Sequence, residues 1–253
     1  MSAATRTWWM ALCAAALANA ALWGVSAWWL APDPGVETTR HVLLWLSAVY
    51  VAGCAFRSVL PMIDVPRFCL HDTAISRIFV GRSVATVAEL AFVAQWALLM
   101  HEAGAVRAAA ATMAIIVVAE GLSWLAVLTR NDLYHAAENA LWTVAAAFAA
   151  AFLASRWSHQ GAVGRQVIVI ALASAALYIG FMVVYVVPMY LRRWRPDGAY
   201  LTLGEGLRQV LGHCKVEHDW SHWRQDAAWL TPYFTVCVWL SIALVYVPSL
   251  RNK

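Results

Sequence analysis

Lysine is nearly missing from this chain. Of its 18 basic residues only Lys215 and Lys253 are lysines, one in a connection between apolar runs and one at the end of the sequence. A retinal Schiff base needs a lysine inside the helix bundle, so a rhodopsin-type pigment is excluded. Charge of either sign is scarce. Only 13% of the residues are charged and 62% are hydrophobic, against about 25% and about 45–50% in a soluble domain. Such a balance excludes a soluble fold and identifies a polytopic membrane protein. The net charge of +4 comes without a dense basic block, so nucleic acid is not an expected partner. His41, His101 and His135 lie near the ends of apolar runs, not in facing pairs within them, which argues against a di-haem cytochrome. One HxxxH pattern falls short of the several histidine boxes of membrane desaturases, and GxSxG, P-loop and Rossmann patterns are missing. The five cysteines have no CxxC spacing, so neither a disulfide framework nor a zinc ribbon is expected. Those in apolar runs read as small buried hydrophobes.

What is present is a set of long apolar runs. Seven spans are predicted, at about 8–30, 41–60, 79–101, 106–128, 133–155, 164–192 and 227–248. Breakers separate them: Pro32 and Pro34, Pro61 and Pro66, Gly104, Arg130-Asn131-Asp132, Gly161 and Gly164, and Pro196-Asp197-Gly198. The expected fold is all-α, a single integral membrane domain over residues 1–253 built as a bundle of seven transmembrane helices. The 15 tryptophans fit that class, because amphipathic rings collect at the headgroup level. Trp9 to Trp28 would span roughly 28 Å, near the thickness of a bilayer's hydrocarbon core. Arg6, an apolar stretch and Ala18-Asn19-Ala20 resemble a signal peptide. The apolar run continues to Leu30, which favours a retained anchor.

Lys and Arg divide twelve to six between the two sides, counting by alternate connections. That bias predicts a cytoplasmic N-terminus and a C-terminus on the opposite side.

Three glutamates interrupt this apolar background: Glu89, Glu120 and Glu138, on consecutive spans. A charge at the centre of a spanning helix costs roughly 2.5 kcal/mol or more, so such residues usually face the bundle interior and mark a site. Helical spacing puts Arg82 with Glu89 on one face of the third span, and His135, Glu138, Asn139 and Trp142 on one face of the fifth. The expected candidate site is a cavity lined by Glu89, Glu120, Glu138, Arg82, His135 and Asn139, opening toward the cytoplasm. A buried lock between Arg82 and Glu89 is the structural alternative.

Both long connections fall on that same side. In PMIDVPRFCLHDTAISR, Asp72 is placed to cap the third span. In the second, Thr202 and Glu205 have capping-box spacing ahead of Leu203, Leu207, Val210 and Leu211, which predicts an amphipathic interfacial helix before the last span. His218, His222 and Asp226 then follow at i, i+4 and i+8. On a continuous helix they share a face and could hold a divalent metal, Zn or Fe, with His213 or Cys214 as a further ligand. Pro232 would fall near the start of the last span.

These residues point to a membrane-embedded enzyme acting on a lipid, isoprenoid or other small-molecule substrate, its glutamates supplying acid–base or carbocation-stabilising charge. A proton- or cation-coupled transporter using the same glutamates as a relay is the alternative, and a structural or assembly subunit a third.

Overall fold

The structure of the protein, a computed structural model, describes residues 1–30, 38–212 and 214–247. Its long helices are α1 (Ala3–Leu30), α2 (Thr38–Val59), α3 (Ile78–Glu102), α4 (Val106–Thr129) and α5 (Asp132–Ser155). They are followed by α6 (Ala162–Phe181), α7 (Val187–Arg193), α8 (Leu203–Leu211), α9 (Trp220–Phe234) and α10 (Val236–Leu244). Among the described residues seven helices are long and apolar enough to cross a membrane: α1 to α5, Ala162–Arg193 and Trp220–Leu244. By length and composition the chain is an integral membrane protein.

Two of these spans are interrupted, each beside a proline. Met182–Val186 is one turn of π-helix between α6 and α7, just ahead of Pro188. A proline has no N–H to close the preceding turn, and a π-turn absorbs that mismatch. In the last span the helix breaks at Thr235 (φ −121°, ψ −77°), three residues after Pro232. This corrects the placement of Pro232 near the membrane entry, because the helix already begins at Trp220 and the break lies mid-span. Asn19 of α1, fully buried, braces the break. Its Nδ2 donates to the Phe234 carbonyl at 2.9 Å, and its Oδ1 accepts from Trp239 Nε1 at 2.8 Å. The AxA pattern around residue 19 thus coincides with a helix-to-helix polar contact.

The chain divides into two compact units. The first contains Met1–Phe92 and Thr202–Tyr246. Its core is Leu12, Tyr50, Val51, Cys54, Ala88, Leu230, Phe234, Val238 and Ile242. Gly53 lets α2 approach α3: a Cβ there would stand 2.7 Å from Ala88 Cβ. The second unit contains Val93–Leu201, where Ala97, Met100 and Ala109 form a core near the α3–α4 turn.

The first unit carries a small cap, its strands outside the candidate spans, that the all-α expectation did not include. Strand β1 (Met62–Ile63) pairs antiparallel with β2 (Phe68–Cys69), and β2 pairs parallel with β3 (Lys215–Val216). Parallel neighbours need a long crossover, and here the chain between residues 69 and 215 supplies it. A disulfide joins Cys69 to Cys214, with a Cα–Cα distance of 5.8 Å. It overturns the expectation of no disulfide: two cysteines far apart in sequence pair because the strands bring their connections side by side. Beneath this sheet Ile63, Leu70 and Trp223 form a second core, with Trp8, Trp9, Phe68 and Trp220 packed on it. Trp8 and Trp9 therefore bind the cap: Trp9 Nε1 donates to the Val59 carbonyl at 3.0 Å, and Trp8 packs 5.6 Å from Trp223.

Asp72 does not cap α3, which begins six residues later, after a 3-10 turn at Ala74–Ser76. The capping box of α8 is formed as expected, Thr202 Oγ1 accepting from Glu205 N–H and Glu205 Oε2 from Thr202 N–H. Leu203, Leu207 and Leu211 are exposed as an i, i+4, i+8 stripe, while Gly206 and Val210 are buried. An exposed leucine stripe on a short capped helix suits the membrane interface.

The cap also carries a pH response. Burial, then the neighbouring His218, depress the pKa of His71, whose ring meets Trp9 edge-on at 5.0 Å. With the folded value below the unfolded one, the unfolded chain binds the extra proton first. This contribution to stability is therefore complete above about pH 6.5 and declines as pH falls below it. Unfolding followed from pH 8 to pH 5 should show that decline, and His71→Phe should flatten it. An unchanged slope in the variant would assign the response elsewhere.

Candidate functional site

In the first unit, α2, the β1–β2 connection, α3 and α9 assemble a buried line of alternating charge. Arg57 Nη2 lies 3.6 Å from Asp64 Oδ1, and Asp64 Oδ2 lies 3.9 Å from Arg82 Nη1. Arg82 Nη2 donates to Glu89 Oε2 at 2.7 Å, and the Tyr233 hydroxyl donates to Glu89 Oε1 at 2.7 Å. Arg57 also donates to the Met62 carbonyl at 3.0 Å. All four charged residues are below one-tenth exposed. Arg82 reaches along two turns of its own helix, a rise of roughly 10.5 Å, as the seven-residue spacing requires. Two guanidinium groups face two carboxylates, so the formal charges cancel, the condition under which buried ions persist. Tyr50 closes the line on its apolar side, stacked on Phe92 at 4.8 Å and edge-on to Tyr233 at 6.1 Å.

In the second unit, Asn131 caps α5 by accepting from Leu133 N–H at 3.0 Å, after Arg130 turns the chain in the left-handed region (φ 59°). This fixes His135 and Glu138 in the first two turns, both buried. His135 Nδ1 is hydrogen-bonded to Glu138 Oε2 at 2.7 Å. The imidazole packs against the Tyr190 ring of α7 at 5.0 Å, and Arg193 covers that ring at 5.7 Å. Glu120 of α4 is also buried, and a carboxylate oxygen of it lies within 4.8 Å of one from Glu138. Asn139 stands apart from these groups, its amide donating to the His135 carbonyl at 2.8 Å within the helix. Two carboxylates and an imidazole inside an apolar helix pair form a group able to hold and pass a proton.

No protein-family model matches this chain, and no curated protein or solved structure does either.

The structure treats the proposed metal ligands differently. Helix α9 starts at Trp220, so His218 precedes it and the three-residue face of His218, His222 and Asp226 is not formed. His218 Nε2 is instead 3.1 Å from the Leu70 carbonyl, and His222 Nδ1 is 3.5 Å from Glu217 Oε2. Asp226, buried, accepts from Trp229 Nε1 at 3.2 Å. Among the described residues these three do not gather within ligand distance of one another. Cys214 is withdrawn as a thiolate ligand because its sulfur is bonded to Cys69, and His213 lies outside the described residues.

The turn ahead of α9 has an evident structural task. Asp219 caps the helix through Ser221 N–H at 3.0 Å. Glu217 accepts from the N–H groups of Asp219 and His218 and pairs with Lys215 and His222. These donors, the Asp219 amide first, hold the Glu217 carboxyl below its ordinary pKa.

Arg57, Asp64, Tyr190 and Tyr233 were not among the sequence-derived candidates. Arg57 carried a signal, as an arginine near the end of an apolar run. Tyr233 carried none, because its partner Glu89 is 144 residues away.

Proposed function

We propose that the chain is a membrane-embedded enzyme acting on a lipid-like substrate by acid–base chemistry, with Glu138, Glu120 and His135 moving the proton. The observation that carries this reading is the 2.7 Å contact of His135 Nδ1 with Glu138 Oε2, beside a second buried carboxylate on α4. A histidine held by one carboxylate, with another in reach, gives a proton both a donor and a destination. Tyr190 and Arg193 fix the imidazole plane. Glu89 and Arg82 take the structural part, since both oxygens of Glu89 already accept hydrogen bonds. The apolar surroundings favour a substrate already dissolved in the bilayer.

Glu138→Gln is expected to fold and to lose about 10²- to 10⁴-fold in turnover, the usual contribution of a positioned proton-transfer group. The test compares lipid extracts, by mass spectrometry, from cells holding wild-type protein, Glu138→Gln or no protein. At equal protein levels a lipid species should change with the wild type alone. Three identical extracts would remove the enzyme.

One observation favours coupled transport as a second reading. The alternating charges run from Asp64, outside the spans and paired with Arg57 at the end of α2, to Glu89, roughly 16 Å along α3. Proton flux into vesicles carrying purified protein, lost in Glu89→Gln, would support it over the enzyme.

A further inference from the structure

We propose that the cap, and with it the N-terminal end of α1, faces the oxidising side of the membrane, and that Cys69–Cys214 is a permanent covalent clasp formed there. This reverses the orientation that the Lys and Arg count predicts, and it stands independently of the catalytic reading.

The cap is a built structure and the disulfide is part of its frame. Lys215 N–H donates to the Arg67 carbonyl at 3.1 Å, and Glu217 N–H to the Cys69 carbonyl at 3.0 Å. These backbone bonds flank the bridge and bring Cys69 and Cys214 to a Cα–Cα distance typical of disulfides. Bonded cysteines of this kind persist in oxidising compartments and are kept reduced in the cytosol. Cys69 is 0% exposed on the central strand of the small sheet, and Cys214 is partly buried just ahead of the strand beside it. The free cysteines Cys13, Cys54 and Cys237 all lie within spanning helices. Among the described residues, then, every cysteine outside the spans is oxidised.

The N-terminal end of α1 belongs to the same face. Ser2 N–H donates to the His218 carbonyl at 3.0 Å, and Thr5 Oγ1 donates to the same carbonyl at 3.1 Å. At the far end of this unit Arg40, in the first turn of α2, donates to the Val245 carbonyl at 2.7 Å.

The opposing count of twelve to six weakens once side chains are placed. Arg57, Arg67 and Arg82 are buried, and each is bonded within the protein: Arg57 to Met62, Arg67 to Gln209 and Arg82 to Glu89. A guanidinium buried and bonded inside the fold reports little on the surface charge of a leaflet. Without these three the count is nine to six. That is a slight bias to set against a covalent bond that depends on compartment.

Closing the bridge removes two protons and two electrons from the thiols of Cys69 and Cys214. Both electrons pass, by thiol–disulfide exchange, to a disulfide-bearing oxidant of that compartment, which leaves as a dithiol.

Two measurements on the full-length protein in a bacterial host test this. In the first, cells are quenched in acid and treated with a polymer-linked maleimide. Adducts at Cys69 and Cys214 should appear only after reduction, and should be lost in a Cys69→Ser/Cys214→Ser variant. Free thiols at both positions in unreduced wild type would overturn the clasp. In the second, single cysteines are placed at exposed Ala74 of the cap and exposed Arg107, at the start of α4, across the membrane by span order. With a membrane-impermeant maleimide on intact cells, Ala74→Cys should label and Arg107→Cys should stay unlabelled until lysis. The opposite pattern, or equal labelling at both positions, would overturn the orientation.

Discussion

Glu89→Gln is expected to lose about 3–5 kcal/mol of stability, the usual cost of breaking a buried ion pair from one side. Its carboxylate holds Arg82 through Oε2 and Tyr233 through Oε1, both at 2.7 Å. An amide can still meet Tyr233, but it returns no charge to the guanidinium. Asp64, 3.9 Å away and shared with Arg57, is too distant to replace it. Thermal unfolding in detergent reads the loss as a lowered midpoint. The paired replacement Arg82→Met/Glu89→Leu should recover much of it, because it removes both charges together. A Glu89→Gln protein as stable as wild type would mean that the pair contributes nothing, and would return Glu89 to the list of proton-moving groups.

The second large effect is expected at Trp223. This side chain is fully buried in the cap core, and its Nε1 donates to the Glu217 carbonyl at 3.0 Å. Trp223→Ala should cost about 3–5 kcal/mol, the combined loss of transfer energy and the cavity left behind. The damage should begin in the cap. Trp8 and Ile63 lose their packing partner, and the turn through Glu217 loses its hydrogen bond. Hydrogen exchange should rise first at residues 62–70 and 214–219, with the amides of α4 and α5 unaffected. Trp223→Phe keeps most of the volume and should lose chiefly the hydrogen bond, about 1 kcal/mol. Equal losses in the two variants would show that packing is not what Trp223 contributes.

The seven spans were legible because hydrophobic length is a local property. A run of twenty apolar residues needs no distant partner to reveal itself, and each predicted span is recovered to within a few residues except the last. There the helix begins at Trp220, ahead of the apolar run expected from 227, because the segment from Trp220 to Ala227 is amphipathic and does not register as part of a span. The capping box at Thr202 and Glu205 was legible for the same reason, since both partners lie within one turn. So were Arg82 with Glu89, and His135 with Glu138: contacts along one helix follow from spacing.

What the sequence could not reveal depends on chain segments far apart meeting in space. Cys69 and Cys214 are 145 residues apart, and neither carries a motif that announces the other. The strands that join them are two residues long, too short for any periodicity to register. Tyr233 acquires its meaning only where α9 lies against α3, and Asn19 only where α1 meets the break after Pro232. The failure of His218, His222 and Asp226 to share a face turned on where one helix starts, because Asp219 is the better cap. By itself the sequence determined seven helices long and apolar enough to cross a membrane, with three glutamates placed inside them. Only the tertiary structure decided which cations, rings and cysteines those helices and their connections bring together. Burial can be read from composition, whereas pairing across the fold depends on packing that no local stretch of sequence encodes.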